Sequence, residues 1–145
     1  NEHRTQLYKT IVMLLNDFFT INSLDKEEGK ATAAVTIDKN HKIFDGHFPD
    51  LPVVPGVCLT QMVKEVLQEL TGDKLMLTKG SNIKFMAVVN PQENADLVMN
   101  MTYTKKEGVW VTSCNTNFGE TVAFKFTTTS TGTDATIDYQ TTILA

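Results

Sequence analysis

The chain has 145 residues, 41% of them apolar and 21% charged, which suits one globular domain with its own core and is too short for two ordinary ones. A formal charge of -4 and an isoelectric point near 5.3 leave no basic face for nucleic acid. No apolar run approaches the roughly 20 residues of a membrane helix, and no signal-peptide core is visible near the N-terminus, so a cytoplasmic protein is expected. Cys58 and Cys114 fit no metal-ligand spacing and no disulfide framework, and both read as small buried or half-buried side chains in a reducing compartment.

Residues 1–6 are polar and are expected to be loose, with His3 a solvated bystander. Leu7, Tyr8, Ile11, Val12 and Leu15 recur at helical spacing and predict a short amphipathic helix ending near Asn16-Asp17. Phe18 to Leu24 reads as a strand, Asp25 to Gly29 as a turn, and Thr32 to Ile37 as a second strand with Ala33, Val35 and Ile37 on one face. The clearest helix carries Leu59, Met62, Val63, Val66, Leu67 and Leu70 in one apolar stripe and stops at Thr71-Gly72-Asp73. Gln61 and Glu65 fall opposite that stripe, so Glu65 reads most simply as a solvated carboxylate.

The rest reads as strands. Leu75 to Val89 carries one or two, interrupted at Gly80, with Ile83, Phe85 and Ala87 alternating. After a turn at Asn90–Asn94, Leu97, Met99, Met101 and Tyr103 alternate with polar partners. Lys105 to Gly108 is a hairpin turn, Val109 to Thr116 a strand, Asn117 to Glu120 a turn, and Val122, Phe124 and Phe126 close the series. The Thr-rich stretch from Thr127 is expected to be loose or weakly paired, which gives one domain over 1–145 with a loose tail from about 129. The layout is α+β: an antiparallel sheet wrapped around one long helix, with edges that a second copy would extend.

Between the second strand and the helix lies His41 to Val57, with two histidines, three prolines and two glycines. Pro49, Pro52 and Pro55 stiffen this connection, which suits it to hold His47 in one place. Gly56 permits close backbone approach where the first helical amides are still unpaired, and such a terminus attracts an anion or a polarised carbonyl. A base and an oxyanion site therefore stand side by side.

Phe44-Asp-Gly-His-Phe-Pro-Asp-Leu-Pro-Val-Val-Pro-Gly-Val57 resembles the active-site segment of the beta-hydroxyacyl-acyl-carrier-protein dehydratases, a hot-dog fold family. Ile83-Lys-Phe85 and Val88-Val-Asn-Pro91 are similar to that family's later strand and turn, and the likeness covers about residues 10–128. The resemblance implies that His47 removes the α-proton of a 3-hydroxyacyl thioester. Amides near Gly56 and Val57 would polarise the thioester carbonyl, beside Pro55 and Phe48. It implies no metal or redox cofactor, a substrate carried on the phosphopantetheine of acyl carrier protein or CoA, and a homodimer, a trimer of dimers, or a hetero-oligomer with an active paralogue.

One position departs from the pattern. Where the family has an acid from the partner subunit's helix, this chain has Gln61, which donates a hydrogen bond but delivers no proton. Loss of a general acid costs about 10²–10⁴-fold. Glu65, one turn on, is the candidate substitute. Three functions stay open: a dehydratase with His47 as base, a hot-dog thioesterase using Glu65, and a non-catalytic acyl-binding or partner subunit. His41, Asp45 and His47 fit no common metal spacing, and His41 is expected at the surface of a strand end. Phe44 and Phe48 read as packing anchors, and Trp110 with the strand methionines as core or interface.

Overall fold

The computed structural model describes residues 14–45 and 52–132, with 76–81 described through their backbone. Strand β1 (Phe19–Glu27) turns at Gly29 into β2 (Lys30–Ile37), and a 3-10 turn at Lys42–Asp45 precedes helix α1 (Gly56–Thr71). Then follow β3 (Leu75–Phe85), β4 (Asp96–Lys106), β5 (Val109–Phe118) and β6 (Thr121–Gly132). All six strands form one sheet in the order β1-β2-β4-β5-β6-β3, and every neighbouring pair is antiparallel.

Side-chain alternation decides which face of this sheet meets α1. Ala33, Val35 and Ile37 on β2 and Leu97, Met99, Met101 and Tyr103 on β4 all point into the core. In register beside them, Cys114 of β5 faces Met101, and Phe126 of β6 faces Cys114. The two-residue turn between β4 and β5 places Glu107 at φ 53° and Gly108 at φ 80°. Two left-handed residues in succession make the hairpin turn whose twist matches the strands. Neither cysteine is bonded to another, and both thiols are pushed up to about 12 by burial.

Helix α1 buries its apolar stripe as expected, with Met62, Val63, Val66 and Leu67 wholly enclosed. Gly72, left-handed at φ 76°, caps its C-terminus by donating its N–H to the Gln68 carbonyl at 2.9 Å. The Lys26 ammonium donates to the Leu70 carbonyl at 2.8 Å, which places a cation at the negative end of the helix. The opposite face departs from expectation. Gln61, Lys64 and Glu65 are 0%, 3% and 4% exposed, so the face that the pattern assigns to solvent is closed. The backbone of Leu14 and Leu15 lies against it, donating to the Glu65 carboxylate. The helix is thus held between a sheet and a crossing segment.

Two further expectations are corrected. The stretch from Thr127 to Gly132 is not loose: it pairs with β5 on one side and with β3 on the other. Thr128 and Ser130 are buried there, because the neighbours of β6 enclose it regardless of its polar composition. Gly80 does not interrupt β3. It pairs with Thr128 inside one strand that absorbs register shifts between Leu77 and Lys79 and between Ser81 and Lys84. Strand β3 forms a sheet edge, and Ile83 and Phe85 are correspondingly exposed. The expected helix over Leu7–Leu15 lies almost wholly outside the described residues, as do His3, the loose residues 1–6 and residues 133–145. Among the described residues no helix is long and apolar enough to cross a membrane.

Candidate active site

The proline-rich connection enters and leaves the described structure through two firm anchors. On entry, His41 is buried rather than at the surface. Its Nδ1 accepts the Ile43 N–H at 3.1 Å, so in the neutral ring the proton sits on Nε2 and is donated to Asp17 Oδ2, also at 3.1 Å. The imidazole lies edge-on to Phe18, with ring centres 5.3 Å apart, and Phe44 packs on the same ring at 5.6 Å. His41 and Phe44 therefore fix the start of the loop, and the packing role expected of Phe44 holds. Among the described residues no three His, Cys, Asp or Glu side chains gather into a metal site.

On exit, the Val54 N–H donates to the Val89 carbonyl at 2.9 Å, tying the loop to the stretch after β3. Pro55 then takes the cap position of α1 at φ −61° and ψ 145°, and among the described residues no side chain caps this end. Its carbonyl accepts from Cys58 and Leu59, so the amides of Gly56 and Val57 precede the first intrahelical bonds. The first turn carries no acidic side chain that would compete for them.

Gly56 leaves room for the ring that lies over it. A Cβ at this position would stand 2.7 Å from Phe85 Cζ and 2.9 Å from Cε1. Phe85 stacks on Phe124, with ring centres 4.9 Å apart, yet stays 58% exposed. Ile83, Met86 and Val88, close to it in sequence, are exposed as well. Phe85 is a site residue that the sequence reading treated only as part of a strand. The signal was the pairing of a glycine at a helix start with an aromatic on a sheet edge, which is visible only after folding.

One turn into the helix, Gln61 Nε2 donates to Glu65 Oε2 at 2.8 Å. Glu65 also accepts Leu15 N–H at 2.7 Å and Leu14 N–H at 3.1 Å to each oxygen. Burial raises the Glu65 carboxyl above its ordinary range, while the bonds from Leu15, Gln61 and Leu14 and the neighbouring Lys64 charge oppose that rise. Glu65 is therefore neither solvated nor idle. The structure brings Gly56, Val57, Gln61 and Glu65 onto one helix, while His47 and Phe48 lie outside the described residues.

The family model described as "ApeI-like: ApeI dehydratase" matches residues 23–128, which include the loop, α1 and most of the sheet. The chain is 29% identical over 107 residues to the 3-hydroxyacyl-[acyl-carrier-protein] dehydratase FabZ of Bacillus velezensis, an alignment covering 68% of this chain and 76% of that protein. To the FabZ of Bacillus cereus it is 31% identical over 87 residues, covering 54% of this chain and 60% of that one. Among solved structures it resembles a chain of the dehydratase heterocomplex ApeI:P from Xenorhabdus doucetiae, with a TM-score of 0.63 and 19% identity. That likeness covers 77% of this chain and 96% of the other, and at this identity it speaks to the fold, which is the hot-dog fold.

Proposed function

The chain belongs to the ApeI-like dehydratase family, and from that membership we propose that it eliminates water from a 3-hydroxyacyl thioester to give a 2-enoyl thioester. The observation that supports this reading is the start of α1 directly after the His47 loop, where among the described residues no side chain caps the helix and the Gly56 and Val57 amides precede the first intrahelical bonds. The α-proton of a thioester is weakly acidic, and amides preorganised at the developing enolate oxygen lower that barrier most. His47 takes the α-proton as base. The electron pair passes into the enolate held by the two amides, and returns to form the double bond as the β-hydroxyl departs.

That hydroxyl needs a proton to leave as water, and Gln61 has none to give. The imidazolium formed at His47 is the donor at hand, with Gln61 contributing a hydrogen bond. Dehydration through one proton-carrying group is slower than through two, by up to the ~10²–10⁴-fold that a general acid contributes. Gln61 also favours a second reading, in which a paralogue supplies a carboxyl across a subunit interface, in keeping with the heterocomplex named for the ApeI relative. A thioesterase using Glu65 is not proposed, because that carboxylate is already committed to Leu14, Leu15 and Gln61.

The acyl group would arrive on the phosphopantetheine of acyl carrier protein or CoA, and no metal or redox cofactor enters the reaction. Phe48 and Pro55 would flank the thioester. A second copy would extend the sheet along β3 and cover Ile83, Phe85, Met86 and Val88 as a homodimer in the cytoplasm, alone or as part of a trimer of dimers. Exchange of the α-hydrogen of a 3-hydroxyacyl thioester in deuterated water, followed by NMR, tests the first step. Label should enter with the wild type and stop with His47→Ala; equal incorporation by both would remove His47 as the base.

A further inference from the structure

We propose that Glu65 is a positioning residue, whose one buried carboxylate holds the Gln61 amide and the Leu14–Leu15 backbone as a unit. The chain leading into β1 thereby sets the orientation of the residue at the acid position. The inference rests on the dehydratase reading for its catalytic consequence and on geometry for the coupling itself.

An ionised carboxylate only accepts hydrogen bonds. The Gln61 atom 2.8 Å from Glu65 Oε2 is the amide nitrogen, which donates to it, and the Gln61 carbonyl is turned away from Glu65. The same carboxylate collects the Leu15 and Leu14 N–H groups. Leu14 is 3% exposed and belongs to the core, so this segment is anchored on its own account. With Glu65 at 4% exposure, no solvent stands ready to replace a broken bond, and displacement of either partner is felt by the other. Among the described residues, the charged group that acts on Glu65 is Lys64, its neighbour on the same helix. A glutamine at position 65 would present an acceptor at one end and donors at the other, so the Gln61 amide would lose its fixed sense.

The test uses the full chain. Glu65→Gln should speed hydrogen exchange at the Leu14 and Leu15 amides by about tenfold, the loss expected of one charge-assisted bond. It should also shift the Gln61 side-chain amide resonances. In hydration of a short 2-enoyl thioester it should lower kcat by about tenfold with KM within about twofold, since the amide acts on the departing or arriving oxygen rather than on binding. Lys26→Met, which removes the bond to the Leu70 carbonyl at the far end of α1, is the control and should leave the Gln61 resonances and kcat alone.

Faster exchange at Leu14 and Leu15 with unmoved Gln61 resonances and kcat would overturn the proposal and leave Glu65 a backbone anchor only. An equal fall in kcat with Lys26→Met would overturn it too, because general loosening of the helix would then suffice. A wild type without turnover would remove the dehydratase reading, and the exchange and Gln61 resonances would then decide the coupling by themselves.

Discussion

Gly56 is where the candidate oxyanion amides and the Phe85 ring meet, and the contact is close enough to be tested by one methyl group. In Gly56→Ala the new Cβ must push the Phe85 ring aside. That ring is half exposed and free to swing, so the fold should lose no more than about 1 kcal/mol while the wall beside the helix start is displaced. Thioester turnover should fall in Gly56→Ala and recover part of the loss in Gly56→Ala/Phe85→Ala. Additive losses in the double variant would show that the two residues do not act through this contact. Lys64 supplies a second check. Burial lowers its ammonium from 10.5 to about 8, with the Glu65 carboxylate pulling the other way. Between those values the folded chain binds fewer protons at this position than the unfolded chain, so the contribution of Lys64 to stability rises with pH across that window and is lost as pH falls through about 8. Denaturant titrations from pH 8 to 9, below the range where the buried Cys58 and Cys114 thiols act in the opposite sense, should show that rise in the wild type and a flatter line in Lys64→Met. Identical slopes would exclude Lys64 as the source.

Strands β2 and β4 could be read from the sequence because alternation is a local property: once the chain is extended, neighbouring side chains must face opposite ways. The stripe of α1 was legible for the same reason. The burial of Gln61, Lys64 and Glu65 was not, since it depends on Leu14 and Leu15, some fifty residues away, crossing the other face of the helix. His41 was misplaced at the surface because its partners, Asp17 and Phe18, come from the far side of the β1-β2 hairpin. Strand β6 shows the limit most plainly. Thr127 to Gly132 has the composition of a tail, yet its position between β5 and β3 makes it an interior strand. Thr129→Pro, which removes a ladder donor and imposes its ring between two paired neighbours, should cost about 3 kcal/mol or more. A melting temperature unchanged by that substitution would mean that this end of β6 is not held as described.

Among the described residues, one helix is enclosed on one side by a six-stranded sheet and on the other by the segment entering β1. The least finished region is the β3 edge, where four large apolar side chains stand exposed. The loop motif made the helix-start amides legible before any coordinates, since stiff prolines and a glycine at a helix start have local consequences, and the fold was legible through the motif's resemblance to a known family. Gln61 was legible as a departure from a family pattern, but its bond to Glu65 was not, because both were assigned to solvent. In the function we propose, this site performs thioester chemistry with His47 as its base and without a carboxyl at position 61. The most direct measurement is reversible hydration of a short 2-enoyl thioester, followed by loss of enoyl absorbance, for wild type, His47→Ala and Gln61→Glu side by side. Turnover by the wild type that disappears in His47→Ala and rises in Gln61→Glu is the expected result. A wild type and Gln61→Glu that are both silent, while the folded protein still binds the thioester, would contradict the claim and leave an acyl-binding protein in its place.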